Sequence, residues 1–330
     1  MTGINISVAC GDYDRVRALK DRRVKVDGCE VTFIPMGPEE LFFRALRYAE
    51  FEVAELSFNS YMMLTSRDNC PYVAIPVFPS RMFRHSAVYI RTDRGIEKPQ
   101  DLKGRVVGVP EYQQTANVWM RGILAEEYGV KDTDITWRTG GQEEPGRDER
   151  TPLALENGVD VRPIPKDRYL SEMMLAGEID AFMTARAPSV WLDRQPNIGR
   201  LWPNYMDVER DYYRRTRNFP IMHLVGVRKD VVERHNWLPA SLLKAFTEAK
   251  AIAMAEIPEV AALNITLPWA DVFQEQIQEF MGVDYWRYGI EECRDEIETL
   301  IRYSWDQGLL ARQLTVEDIF HPTTFAVSKT

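Results

Sequence analysis

Two arginines and a histidine lie within five residues of one another in PVFPSRMFRHSAVYI: Arg81, Arg84 and His85. A guanidinium can give a carboxylate two parallel hydrogen bonds, and an imidazole can move a proton near neutral pH, so this cluster suits an anionic ligand that undergoes proton transfer. The competing assignment is an internal salt bridge or a solvated loop. Arg186, in DAFMTARAP, is a second cation for the same anion or a hinge salt bridge. His85 is the leading proton-transfer residue. His223, in PIMHLVG, is a second participant or a satisfied core imidazole, while His235 and His321 read as surface residues.

Polar side chains at two expected helix starts could complete the site. In VAELSFNSYMML, Ser57, Asn59 and Ser60 offer donors to an anion or simply cap the helix. In GVPEYQQTANVWMRG, Tyr112, Gln113, Thr115 and Asn117 are orienting groups for a ligand, with helix-start packing as the alternative for each.

Several chemistries lack a signature. The chain contains no HExxH, no paired-cysteine zinc pattern, no GxGxxG, no GxxxxGK and no GxSxG. No cofactor is called for, although a divalent metal held by His85 or His223 with distant carboxylates stays open. Cys10, Cys29, Cys70 and Cys293 are widely spaced and read as reduced core thiols. With 50 acidic residues against 41 Lys plus Arg, a general nucleic-acid surface is not expected. No export signal and no run of about 20 apolar residues is visible, so the expectation is a cytoplasmic protein without a membrane span, unless a signal has been trimmed.

The elements that must position these groups alternate strand and helix. Strands are expected at Ile4–Cys10 and Cys29–Pro35, a helix over PEELFFRALRYAEF, and a strand-to-helix junction in VAELSFNSYMML. YVAIPVFPSRMFRHSAVYIR reads as two buried strands with a rigid loop at Pro76 and Pro79 between them. A fresh strand, RVVGVP, precedes a helix from about Thr115 to Tyr128. TGGQEEPGRDERTPLALENG reads as a solvated excursion. From Pro239 onward the chain is mainly helical. This divides the protein into residues 1–91 as the first part of one lobe, 92–187 as a second α/β lobe, and 188–330 as the return to the first lobe with a helical buttress. The apolar helical surfaces near the C-terminus suit a homo-oligomer or plain core packing.

The order ELSFNSY, PVFPSRMFRHSAVYI, DLKGRVVGVPEYQQTANVWMRG, EIDAFMTARAP and FPIMHLVGV resembles the 4,5-dihydroxyphthalate decarboxylase family over most of the chain. The resemblance implies an α/β, two-lobe, type 2 periplasmic-binding-protein-like fold with a hinge and an interlobe cleft. It implies a lyase of phthalate degradation that converts a small hydroxylated aromatic dicarboxylate, 4,5-dihydroxyphthalate, to protocatechuate and carbon dioxide. On the matching segments, Arg81 and Arg84 would hold one carboxylate and Arg186 with the second-lobe polar groups the other end. His85 and His223 would move protons as a ring carbon is protonated. An aromatic-acid sensor without turnover, and a lyase for another hydroxylated aromatic acid, remain alternatives.

Overall fold

The computed structural model describes residues 3–325. Along the chain run β1 (Ile4–Cys10), β2 (Cys29–Pro35), β3 (Val53–Ser57) and β4 (Tyr72–Arg81). Then come β5 (Val88–Arg91), β6 (Val106–Val109), β7 (Thr136–Thr139), β8 (Asp160–Pro163), β9 (Ala181–Met183) and β10 (Ile198–Arg200), and finally β11 (Ile221–Arg228). The strands form two sheets, ordered β2-β1-β3-β11-β4 and β10-β5-β9-β6-β7-β8. Each sheet is a lobe, and the two-lobe α/β expectation is borne out.

The crossings fall elsewhere than expected. β5 was assigned before the crossing and β10 after the return, yet both pair in the second sheet, as antiparallel strands at one end of it. The chain therefore leaves the first sheet after Arg81 and re-enters it at Ile221, instead of switching at 91/92 and 187/188.

The expected proline loop is also absent. β4 runs through Pro76 and Pro79, which is tolerated because β4 is an edge strand and is bulged there: Ile75 pairs with Val225 and Ser80 with His223, leaving four residues opposite Leu224. The carbonyls freed by the bulge find other donors, with Pro76 O accepting from Gly289 N at 2.9 Å and Phe78 O from Trp286 Nε1 at 3.0 Å.

After α1 (Asp14–Lys20), three helices matter most for the site. α2 (Pro38–Tyr48) carries Pro38 in its first turn, where the missing N–H costs nothing, and buries Leu41, Phe42 and Ala45. α3 (Phe58–Ser66) starts directly at the end of β3, and α4 (Thr115–Tyr128) starts shortly after β6 and ends at Gly129, whose left-handed backbone suits glycine. The helix at 294–306 buttresses both lobes rather than the first alone. Ser304 Oγ donates to Asn59 Oδ1 at 2.6 Å, and Gln307, just beyond it, donates to Val118 O of α4 at 2.9 Å. One apolar core runs through the first lobe and on to Trp119 and Trp137 of the second; a smaller cluster around Leu170, Met174 and Phe182 belongs to the second sheet.

Candidate functional site

A cleft of about 660 Å³ opens between the sheets, within the size range of small-molecule sites. Its floor joins the starts of α3 and α4. Ser57 Oγ and Thr115 Oγ1 are 3.0 Å apart, Ser60 Oγ donates to Gln113 Oε1 at 2.7 Å and lies 3.1 Å from Ser57 Oγ, and Asn59 N donates to Thr115 Oγ1 at 3.0 Å. Ser57, Ser60, Gln113 and Thr115 line the cleft.

The first-lobe wall carries His223. β11 lies antiparallel to β3, with His223 opposite Ser57 and Val225 opposite Glu55. Side chains alternate along a strand, so Glu55 is the diagonal neighbour of His223 on the same face. The carboxylate of Glu55 is buried and takes His223 Nδ1 at 2.6 Å, Tyr13 OH at 2.9 Å and Gly11 N at 2.8 Å. Burial opposes its ionisation, but hydrogen bonding and charge from His223, with the Gly11 and Tyr13 donors, hold it below the usual carboxylate range. Phe42 meets the imidazole edge-on with 4.7 Å between ring centres, and Tyr13 and Phe42 both line the cleft.

Arg84 lies on the wall where the chain crosses. Its Nε donates to Met222 Sδ at 3.1 Å and its Nη1 to Ala185 O at 3.4 Å. Among the described residues no carboxylate lies within ion-pair distance of it. Burial, only partly offset by the Glu209 charge, lowers the guanidinium to about 10, which still leaves it cationic at neutral pH. Other cleft cations are already paired: Arg147 with Glu111 at 2.5 Å and Glu39 at 3.3 Å, Arg150 with Glu111 at 2.7 Å, and the exposed Arg186 with Glu39 at 3.8 Å. Burial works against the Glu111 charge, and Arg150 and Arg147 nonetheless keep its carboxyl low.

The structure thus brings together Ser57, Arg84, Gln113, Thr115, Arg186 and His223. It does not bring the other expected residues to the cleft lining. The Arg81 side chain is wholly buried within the first lobe, donating to Phe219 O and Arg287 O at 2.8 Å each, with Glu296 3.4 Å away, so it has no face to offer a ligand. His85 is buried against Trp202 and Tyr212, with ring centres 5.1 and 5.3 Å away, and cannot reach a ligand in the cleft directly. Asn59 is enclosed and donates to Gln113 O, Tyr112 OH donates to Asp132 on the far side, and Asn117 donates to Glu111 O. These three fix the backbone around the floor.

The segment expected to be a solvated excursion is a largely exposed loop, and it also forms a cleft wall: Gly141 to Arg147 and Arg150 line it, with Arg147 and Arg150 held inward by buried Glu111. Glu55 carries no flag in the sequence reading, although a single acid in the middle of a fully buried strand is itself a sign of a specific partner. Among the described residues no group of three or more His, Cys, Asp or Glu is placed to hold a metal ion, and no helix is long and apolar enough to cross a membrane.

No family model matches the chain. It is 43% identical over 324 residues to the 4,5-dihydroxyphthalate decarboxylase of Comamonas testosteroni, covering 98% of both chains. It is 47% identical over 214 residues to the enzyme of the same name from Pseudomonas putida, covering 65% of this chain and 83% of the relative. Among solved structures, the periplasmic aliphatic sulphonate binding protein SsuA of Escherichia coli superposes with a TM-score of 0.54 at 14% identity over 99% of both chains, a likeness of fold. On a periplasmic-binding-protein fold, the chain belongs to the 4,5-dihydroxyphthalate decarboxylase family.

Proposed function

We propose that this protein decarboxylates 4,5-dihydroxyphthalate to protocatechuate (3,4-dihydroxybenzoate) and carbon dioxide in the cleft between its lobes. The observation that carries the reading is near full-length relatedness, at 43% identity, to a protein of that name. The cleft supplies what the chemistry needs. A buried, cationic Arg84 without a carboxylate partner among the described residues is costly to hold and is relieved by an anionic ligand. It serves best on the carboxylate that stays, since a cation on the departing group would stabilise a charge that is lost on leaving.

The departing carboxylate is para to a hydroxyl, which feeds electron density to the ring carbon that bears it. His223 gives that carbon a proton, the carbon–carboxylate bond breaks, its electron pair restores the aromatic ring, and carbon dioxide departs. Imidazole regains its proton from solvent, so one proton is consumed and nothing is oxidised or reduced. Ser57, Gln113 and Thr115 offer hydrogen bonds to the hydroxyl groups, and Phe42 supports the ring plane. Arg186 is an exposed contact for the outer carboxylate. A cytoplasmic place of work belongs to this reading and is supported by four free cysteines, three of them buried.

The test is to incubate metal-depleted protein with 4,5-dihydroxyphthalate and follow substrate, protocatechuate and carbon dioxide together. Equimolar products are expected, and Arg84→Ala is expected to lower kcat/KM by about 10²-fold through loss of a desolvated charge contact. Binding without consumption that added divalent metal does not restore would make the protein an aromatic-acid sensor, and wild-type turnover by Arg84→Ala would remove the anchor.

A further inference from the structure

We propose that Glu55 is a positioning residue for the reaction, selecting the tautomer of His223 that leaves Nε2 free to exchange a proton in the cleft. The inference rests on the decarboxylase reading and adds a residue to it. Every hydrogen-bonding neighbour of the Glu55 carboxylate is a donor or can become one. Gly11 N and the Cys10 thiol face Oε2 at 2.8 and 3.4 Å, while Tyr13 OH and His223 Nδ1 face Oε1 at 2.9 and 2.6 Å. An ionised carboxylate accepts and cannot donate, so the neutral imidazole must carry its hydrogen on Nδ1. Nε2 is then the nitrogen that receives a proton from solvent and passes it to the ring carbon. The placement is rigid: Glu55 is in the centre of a strand buried along its whole length, paired to β11 across the ring it orients.

Glu55→Gln tests this because an amide has only one acceptor oxygen. The orientation that satisfies every neighbour directs that oxygen at Gly11 N and the amide NH2 at Tyr13 and His223 Nδ1, which forces the hydrogen onto Nε2. With only four histidines in the chain, 15N-histidine labelling with His223→Gln as the assignment control resolves the tautomer. The expected result is a change from Nδ1–H to Nε2–H in Glu55→Gln. A fall in kcat of about 10²-fold or more should accompany it, with little change in KM. Glu55→Asp, which keeps the charge, should retain the Nδ1–H form and recover about tenfold of the loss. Thermal melts establish that each variant is folded. Wild-type kcat in Glu55→Gln, or a Glu55→Asp no better than Glu55→Gln, overturns the positioning role. If His223→Gln itself turns over normally, the failure is in the proton-transfer reading and not in Glu55 alone.

Discussion

Arg84 and His85 are adjacent in sequence, but only the first lines the cleft; the second turns into the packing between the outgoing crossing and the helix at 205–216. Both His85 nitrogens are buried without a hydrogen-bond partner among the described residues, and burial, reinforced by the Arg215 charge, lowers the imidazole to about 4. An unfolded histidine titrates near 6.5, so between these values the unfolded chain binds a proton that the folded chain refuses. Stability therefore falls as pH drops through that window, by about 2–3 kcal/mol at pH 4.5 from this residue. His85→Phe, which suits the aromatic surroundings, should shrink the difference between urea-melt stabilities at pH 7 and pH 4.5 by about that amount. It should also continue to turn over; loss of activity in a folded His85→Phe would return this residue to proton transfer. Which side chains could do chemistry was legible from type and spacing. Which way they pointed was not, because a short crossing has no periodicity from which to infer direction.

At the scale of elements, strand and helix starts were legible where apolar alternation changed to helical spacing, as at β3–α3 and at α4. At β4 a distant partner overrides the local signal. Prolines in β4 were taken for a loop, but an edge position and a bulge opposite β11 accommodate them. The charged segment 139–158 is a largely exposed loop, as its Gly, Pro and charge density imply, and Glu111, remote in sequence, adds a tie that the local pattern does not show, drawing Arg147 and Arg150 onto the cleft. Glu149 shows the cost of that folding. One of its oxygens accepts from Tyr112 N at 2.5 Å, the other is buried without a partner, and burial pushes the carboxyl up to about 7. A carboxyl raised in the folded state contributes stability below its unfolded value, near 4.3, and that contribution is lost as pH rises through the folded value. Glu149→Gln keeps an acceptor for Tyr112 and has no charge to bury. Its gain in denaturant stability over the wild type should grow from pH 5 to pH 8, reaching about 1–3 kcal/mol. A gain that does not change with pH would mean the segment already lets Glu149 ionise in water.

For the whole molecule, two lobes were legible because each repeats the strand-to-helix succession of α/β folds, and the family only through the resemblance of five ordered segments. The exact crossings were not legible, since β5 and β10 are short and their antiparallel pairing depends on residues more than a hundred positions apart. What holds the lobes together at the mouth of the cleft is likewise non-local. Glu39, at the start of α2 in the first lobe, faces Arg147 at 3.3 Å and Arg186 at 3.8 Å from the second, and Arg150 lies over the Phe42 ring at 5.9 Å. The Glu39 pairs are partly exposed, so each is weak and screened by salt. Glu39→Gln should shift the population toward open molecules, seen as a larger radius of gyration in solution scattering without ligand. KM should rise by about two- to fivefold with little change in kcat, the cost of a closing contact made in ground and transition states alike. Added salt should raise the wild-type KM more than that of Glu39→Gln, because the variant has already lost what salt screens. Equal salt dependence in the two proteins would assign closure to the hydroxyl floor and the buried core, with the ionic mouth contributing nothing.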